Sequence, residues 1–251
     1  MITGKEIRIK RLLPNGKGVI LALDHGFSMG SIQGLENLDS VVRNLCEVNI
    51  SGIVINYGAL KNLELGSLGS CKVPIIVHLC GSGLGEYVKE KLTLYKVKDA
   101  LRLGADAVSL QINFGTTTER EQISAAAAII AEADSLGIPV LLMMYISGTE
   151  EKGEEKLEDI VRLGIELGAD IIKIDGRKNF SLMRRLSENS KVPILVAGGE
   201  LSGSEKELKQ TLAAYLESGS AGVSIGRNVF QSKTPKVLLT TICKLVYGHR
   251  G

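Results

Sequence analysis

Short runs of Val, Ile and Leu alternate with longer stretches of mixed apolar and polar residues, and this pattern continues along almost the whole chain. The short runs show little internal alternation with polar residues, which is typical of strands in a parallel sheet buried on both faces. They predict eight strands: Gly18–Asp24, Gly52–Tyr57, Val73–Leu79, Ala105–Asn113, Pro139–Tyr145, Ala169–Asp175, Pro193–Ala197 and Ala221–Gly226.

The stretches between the predicted strands carry apolar residues at helical spacing. They predict seven helices: Leu38–Val48, Lys96–Leu103, Thr118–Ser135, Glu155–Leu167, Phe180–Ser187, Glu205–Ser218 and Pro235–Val246. The segment from Ala59 to Ser70 has a weaker pattern and predicts a short, broken helix.

Two kinds of junction recur between these elements. Glycines follow three helices, where a C-cap often needs a positive φ: Gly104, Gly168 and Gly219. Prolines open three strands, where they are tolerated: Pro74, Pro139 and Pro193. Repeated βα units in a chain of 251 residues predict an α/β fold, a single (β/α)8 TIM barrel domain covering residues 1–251. An open doubly wound sheet is the alternative.

Composition and charge narrow the classes of function. The net charge is +2 and aromatic residues make up 4% of the chain, which argues against nucleic-acid and anionic-membrane partners. No apolar run approaches the length of a membrane span, and the charged N-terminal segment lacks the apolar core of a secretory signal. Four scattered cysteines predict reduced thiols. These features predict a cytoplasmic protein.

The active site of a (β/α)8 barrel lies at the C-terminal ends of its strands. Lys173 gives the sharpest signal there, because it lies inside the apolar run IIKID of residues 171–175. Burial disfavours the charged form of a lysine, and a neutral amine can attack a carbonyl carbon. We therefore predict that Lys173 is a covalent catalyst. The alternative is a structural ion pair with Asp24 or Asp175.

Asp24 and Tyr145 end the first and fifth predicted strands. An aldol reaction needs groups that transfer protons, and a carboxylate and a phenol are suitable carriers. We predict that both act beside Lys173, although each alone is also typical of a turn or of a half-buried rim. His25, next to Asp24, and Asn113, at the end of the fourth strand, are predicted to help bind substrate.

The last two predicted strands run into glycine loops, Gly198–Gly199 and Gly226–Arg227. Phosphate groups bind at this place in many such barrels, and an arginine adds charge-assisted hydrogen bonds. The pair of loops predicts a phosphate site, with turn glycines and a surface arginine as the alternative. The histidines form no metal-ligand pattern, so we predict neither a metal site nor a cofactor.

Five segments of the chain resemble the archaeal-type class I aldolases, in the group of deoxyribose-phosphate and fructose-bisphosphate aldolases. They are Leu23-Asp24-His25-Gly26, Met143-Met144-Tyr145, Gly168-Ala169-Asp170-Ile171-Ile172-Lys173, Val196-Ala197-Gly198-Gly199 and Gly226-Arg227-Asn228-Val229-Phe230-Gln231. The resemblance implies a Schiff base on Lys173, proton transfer by Asp24 and Tyr145, and a sugar phosphate in the last glycine loops. It also implies a homo-oligomer of five or ten barrels.

Within that group, residues 28–35 and 112–116 resemble the synthases that join L-aspartate semialdehyde to a fragment of a deoxyketohexose phosphate. The resemblance therefore implies small-molecule partners, a keto-sugar phosphate donor and an aldehyde acceptor. Three alternatives stay open. The chain could be a fructose-1,6-bisphosphate aldolase, a natural-product aldolase acting on the same semialdehyde with dihydroxyacetone phosphate, or an inactive barrel that serves as an assembly subunit.

Some loops depart from the family pattern. The chain has Gly30-Ser31 for the usual Gly-Pro, Tyr145-Ile146-Ser147-Gly148 for Tyr-Pro-Arg-Gly, and Gly199-Glu200-Leu201 in place of Gly-Pro-Lys. An arginine and a lysine are thereby lost, while Glu200 and Asp175 add negative charge. Both changes act against binding an additional anionic group, so the substrate is expected to differ from the usual one.

Overall fold

The computed structural model of the chain describes residues 3–64, 72–83, 89–147, 150–199 and 203–248, with the backbone alone for 150–155. Within these ranges the strands are β1 Gly18–Ala22, β2 Gly52–Asn56, β3 Ile75–His78, β4 Cys80–Gly81, β5 Leu92–Thr93, β6 Ala107–Phe114, β7 Val140–Ile146, β8 Ile171–Ile174, β9 Ile194–Ala197 and β10 Gly222–Ile225. All except β4 and β5 pair in parallel and close into a barrel, in the ring order β1-β10-β9-β8-β7-β6-β3-β2.

Helices precede, separate and follow the barrel strands. They are α1 Gly4–Leu12, α2 Gly26–Met29, α3 Leu38–Leu45, α4 Tyr57–Lys61, α5 Val97–Arg102, α6 Glu119–Ser135, α7 Glu150–Leu167, α8 Phe180–Asn189, α9 Glu205–Glu217, α10 Arg227–Phe230 and α11 Pro235–Tyr247. The (β/α)8 TIM barrel predicted from the sequence is confirmed, and the open doubly wound sheet is excluded because the ring of strands is closed.

Each of the eight predicted strands forms a barrel strand, with ends that differ from the prediction by at most two residues. The seven predicted helices are also present, and α7 begins at Glu150 rather than Glu155. The helix expected between Ala59 and Ser70 is the short α4, which already begins at Tyr57; residues 65–71 lie outside the described ranges.

The predicted junction chemistry is present in the structure. Gly104, Gly168 and Gly219 all have a positive φ where a helix gives way to a strand, as a helix C-cap requires. The three strand-opening prolines donate no ladder hydrogen bond, but their carbonyl oxygens accept one from the neighbouring strand: Pro74 from Ile53, Pro139 from Val108, and Pro193 from Ile172.

Helix α1 was not predicted, and it closes the N-terminal end of the barrel. Thr3 caps it in a reciprocal capping box with Glu6. At its other end Leu12 and Leu13 are buried in a cluster with inward-facing strand residues such as Ile20. The apolar side chains of α1 and of the inner cluster therefore fill the N-terminal end of the barrel in the described part of the chain.

The strands β4 and β5, which were also not predicted, form a two-stranded antiparallel sheet after β3. The backbone N–H of Leu94 donates to the carbonyl of Leu79 (2.9 Å), and the N–H of Gln111 donates to the sulfur of Cys80 (3.4 Å). These bonds hold the β4–β5 segment against the C-terminal ends of β3 and β6, beside the barrel mouth.

Cys80 and Cys243 are free thiols, whereas Cys71 lies outside the described ranges. Burial raises the pKa of the Cys80 thiol, and it raises that of Cys243 to about 12. In the ranges listed above, no helix combines the length and the apolar character needed to cross a bilayer.

Candidate active site

Lys173 projects into the barrel interior from the middle of β8. Its neighbours in register are Met143 on β7 and Leu195 on β9, both part of the apolar cluster that fills the barrel. Only 5% of Lys173 is exposed, and its Nζ lies 3.9 Å from the sulfur of Met143. Among the described residues no carboxylate forms an ion pair with it. The structural ion pair that was the alternative for this lysine is therefore absent there.

Asp175, two residues further on, is exposed and accepts a hydrogen bond from the backbone N–H of Arg177 (3.1 Å). It forms no ion pair with Lys173. The carboxylate of Asp175 therefore stabilises the turn between β8 and α8.

Asp24 follows β1, and its carbonyl oxygen accepts a hydrogen bond from the Asn56 side chain (2.8 Å). Burial acts to raise the pKa of its carboxyl, but the positive charge of Lys173, and those that His78 and His25 carry when protonated, act in the opposite direction and lower it. Asp24 is thus a carboxylate at neutral pH, close enough to Lys173 for the two groups to interact electrostatically. The sequence prediction that they share the mouth is consistent with this arrangement.

Tyr145 lies on β7, two residues beyond Met143 and on the same inward face of the strand. It is half-buried, packs against the inner apolar cluster, and pairs in register with Asn113 of β6. The C-terminal ends of three strands therefore carry the three groups. The amine of Lys173 comes from β8, the carboxylate of Asp24 from the end of β1, and the phenol of Tyr145 from β7.

His25 follows β1 and packs against the residues that follow β10. Its ring meets that of Phe230 edge-on, with centroids 5.3 Å apart, and a Cβ added to Gly226 would overlap the imidazole. Burial lowers the pKa of His25 despite the nearby Asp24, so the 3.8 Å contact between their side chains joins a carboxylate to a neutral ring. His25 therefore sets how closely these two loops approach each other.

His78 ends β3 and is buried, with its Nδ1 2.8 Å from the hydroxyl of Ser109. Burial lowers its pKa to about 4, and the charges of Lys91 and Lys173 act in the same direction. The ring is therefore neutral at physiological pH and can act there as a hydrogen-bonding group rather than as a cation.

The glycine loops predicted to hold phosphate lie side by side. The Arg227 guanidinium donates to the carbonyl of Gly199 (3.4 Å), and the Asn228 amide donates to that of Gly198 (3.0 Å). Gly199 has a φ of +73°, which favours glycine. These bonds bring together the loops after β9 and β10, at the place where the sequence predicts phosphate binding.

The amide of Asn113 is engaged within the protein. Its nitrogen donates to the carbonyl of Lys89 (2.7 Å), and its oxygen accepts from the Gln111 amide (2.8 Å). Asn113 therefore ties the segment that leads into β5 to the end of β6. Its predicted contact with substrate stays a prediction.

Two cations at the mouth were missed by the sequence analysis. Lys91, just before β5, is only 9% exposed, and its amine donates to the Ser82 hydroxyl (3.3 Å). Arg177 has a left-handed backbone (φ +47°) and donates to the carbonyl of Ile146 (3.3 Å). No periodicity marks either residue, because Lys91 lies in a short hairpin and Arg177 in a loop.

A cavity of about 820 Å³ opens at the opposite end of the barrel. It is lined by Lys17, Ser51, Cys243 and Tyr247, among others, and by none of the residues predicted for the site. In the described part of the chain no group of three His, Cys, Asp or Glu side chains is placed to hold a metal ion. The residues predicted for the site lie instead at the C-terminal ends of the strands.

An amine buried in a closed ring of parallel strands, in electrostatic reach of a carboxylate, is an arrangement suited to a Schiff-base-forming aldolase. Comparison with known proteins agrees, since residues 18–232 match the DeoC/LacD family aldolases. The chain belongs to this family, and it is an enzyme of the class I aldolase type.

Three relatives illustrate the match. The chain is 35% identical to 2-amino-3,7-dideoxy-D-threo-hept-6-ulosonate synthase 1 of Archaeoglobus fulgidus, over 98% of this chain and 92% of that protein. It is 31% identical to 2-amino-4,5-dihydroxy-6-oxo-7-(phosphonooxy)heptanoate synthase of Streptomyces griseus, over 98% and 92%. A solved archaeal fructose-1,6-bisphosphate aldolase, with its catalytic lysine bound to the carbinolamine intermediate, superposes with a TM-score of 0.85 at 27% identity, over 98% and 100%.

Proposed function

We propose that this enzyme joins a three-carbon keto fragment of a sugar phosphate, held as a Schiff base on Lys173, to an aldehyde acceptor. The acceptor we propose is L-aspartate semialdehyde, as in a 2-amino-3,7-dideoxy-D-threo-hept-6-ulosonate synthase. The observation that carries the chemistry is the buried amine of Lys173, which has no carboxylate partner among the described residues and lies in electrostatic reach of Asp24. The synthase from Archaeoglobus fulgidus supports the choice of substrates.

The proposed reaction begins when the nitrogen lone pair of the Lys173 amine attacks the donor carbonyl carbon. The carbinolamine loses water to give an iminium ion, which withdraws electrons from the adjacent carbon. A base then takes the proton of the donor's next hydroxyl group, the bond between that carbon and the hydroxyl-bearing carbon breaks, and the rest of the donor leaves as an aldehyde. The electron pair of the broken bond forms an enamine, which attacks the aldehyde carbon of the acceptor. The new alkoxide takes up a proton, and water then releases the product from the lysine.

Asp24 and Tyr145 are the proposed proton carriers. Because the pKa of Asp24 is held below its ordinary value, its carboxylate is ready to accept a proton at neutral pH. Tyr145 lies on the inward face of β7, where its hydroxyl can donate to and accept from the oxygen of the carbinolamine or of the new alkoxide. Two carriers from opposite sides of the mouth can serve the two steps without moving.

The donor phosphate is proposed to bind between Gly198–Gly199 and Gly226–Arg227. The guanidinium of Arg227 already spans these loops through the Gly199 carbonyl, so it can bind phosphate without a large rearrangement. His25, packed on Gly226, is proposed to hold the loop in place rather than to contact the reacting atoms.

A fructose-1,6-bisphosphate aldolase is the second candidate, favoured by the close structural likeness to the archaeal enzyme. It would require a second phosphate site. Ser147 stands where the family has arginine, and Leu201 stands where it has lysine, so the sequence weakens that site. Cleavage of the bisphosphate at a rate comparable to the synthase reaction would favour this candidate.

Covalent trapping tests the proposal. Borohydride added with a panel of phosphorylated ketoses should reduce the Schiff base and add the donor mass to the peptide that contains Lys173. Lys173→Met should abolish the adduct. Lys17→Met is the matched control, because Lys17 is a half-buried lysine at the opposite end of the barrel. An adduct that survives in Lys173→Met, or none in the native enzyme, contradicts the proposal.

A further inference from the structure

Lys91 is a buried cation at the active-site mouth that the proposed chemistry does not use. Its amine has one hydrogen-bond partner, the Ser82 hydroxyl, and no carboxylate within ion-pair distance among the described residues. It interacts electrostatically with Asp24 and with His78, both at the mouth. Among the described residues the amine is near the charge of the Asp24 carboxylate but forms no ion pair with it, and an anionic group of a substrate would supply that contact.

The barrel topology places Lys91 across the mouth from the proposed phosphate loops. In the ring of eight strands, β3 and β6 stand opposite β9 and β10. The segment around Lys91 follows β3 and is fastened to β6 through the Asn113–Lys89 hydrogen bond. An extended substrate with phosphate at Arg227 would therefore reach toward Lys91 with its other end, and Lys173 would lie between the two.

We propose that Lys91 binds the carboxylate of the aldehyde acceptor. This inference rests on the proposed function, in which the acceptor is an amino-acid semialdehyde. One ammonium with one hydroxyl, that of Ser82, suits a single carboxylate better than a phosphate dianion, which usually takes several donors. Lys91 also supplies a positive charge to a mouth from which the sequence has removed an arginine and a lysine, and so allows an acidic acceptor where a second phosphate is disfavoured.

Acceptors that differ only in the carboxylate test this role. 4-Oxobutanoate and butanal have the same carbon chain, and only the first carries the charge. Lys91→Met should raise the KM for L-aspartate semialdehyde and for 4-oxobutanoate roughly 10- to 100-fold, the loss expected for one charged hydrogen bond, with kcat/KM for butanal within about twofold of the native enzyme. Lys91→Arg should recover part of the affinity, because it restores the charge.

The control is Lys89→Met, which removes an exposed lysine two residues away and should change neither aldehyde's kinetics. An equal loss of kcat/KM with 4-oxobutanoate and with butanal overturns the inference. A loss of kcat/KM confined to glyceraldehyde 3-phosphate also overturns it, because Lys91 would then bind a phosphate. Lys91→Gln provides a second uncharged variant if the methionine variant does not fold.

The two proposals fail in different ways. Borohydride trapping of the donor at Lys173 needs no acceptor, so it should be unchanged in Lys91→Met. Failure of the native enzyme to form that adduct overturns the proposed function. If trapping is normal but Lys91→Met changes kcat/KM equally for charged and neutral aldehydes, only the role of Lys91 is overturned.

Discussion

Lys173 and Met143 occupy paired positions on adjacent strands, and the lysine amine lies 3.9 Å from the methionine sulfur rather than beside a carboxylate. A thioether is a weak hydrogen-bond acceptor and offers no counter-charge. The amine is therefore desolvated in an apolar layer of the barrel, which is favourable for attack on a carbonyl and unfavourable for stability.

Replacing this lysine with methionine should stabilise the protein while it abolishes activity. Lys173→Met removes a poorly partnered buried polar group, so the free energy of unfolding in urea should rise by about 1–3 kcal/mol. Lys17→Met should have the opposite sign, because the Lys17 amine donates a 2.6 Å hydrogen bond to the carbonyl of Ser220. A less stable Lys173→Met protein would show that the amine has stabilising contacts that this arrangement does not include.

Acidification should destabilise the barrel through His78. Its pKa is 6.5 in the unfolded chain and about 4 in the folded protein, so folding favours the neutral ring. The associated stability is fully present above pH 6.5 and is lost as the pH falls toward 4, by about 3 kcal/mol in total. His25, whose pKa is also lowered, adds a loss of the same sign.

His78→Gln tests this, because glutamine can keep a hydrogen bond to Ser109 without titrating. Urea unfolding of this variant between pH 7 and pH 4.5 should show a clearly smaller loss of stability than that of the native protein. Asp24 does not interfere with this comparison. Because its pKa is lowered in the folded protein, its contribution to stability is lost only as the pH falls below the ordinary carboxyl pKa of 3.8. Parallel pH profiles for the two proteins would show that His78 is not the group responsible.

Much of the fold could be predicted from the sequence because the signals are local. The eight barrel strands are continuous apolar runs, and Gly104 or Pro139 mark where an element must begin or end. Helix α1 was missed because its sequence is mostly charged and only Leu12 is buried. The Thr3–Glu6 capping box was the one local signal that could have revealed it.

The barrel floor formed by α1 should contribute strongly to stability. Leu12→Ala removes a fully buried side chain from the closed end of the barrel, and we expect a loss of about 2–5 kcal/mol in the free energy of unfolding. Ile7→Ala is the control on the same helix, since Ile7 is largely exposed and should change stability by no more than about 0.5 kcal/mol. Equal effects of both substitutions would show that α1 does not seal the barrel.

Only those residues of the candidate site that lie on the barrel strands or at their ends could be predicted from the sequence. Lys173, Asp24 and Tyr145 were found because parallel strands bring their C-terminal ends to one mouth. Lys91 was not, because its burial depends on the β4–β5 segment folding back over β3, a contact that no local pattern encodes. For the same reason the sequence could not show that the Asn113 amide is already bonded to Lys89.

Removing the phenol of Tyr145 should separate proton transfer from substrate binding. Tyr145→Phe keeps the ring that packs on the inner cluster, so the fold and the affinity for donor should persist, while turnover falls about 100- to 10,000-fold. Tyr95→Phe is the matched control, because Tyr95 stacks on Tyr57 with ring centroids 4.2 Å apart, outside the inner cluster. Steady-state rates, together with exchange of donor protons into deuterated water without acceptor, would locate the impaired step. A Tyr145→Phe rate within a few-fold of the native rate would assign the proton transfers to Asp24 and bound water instead.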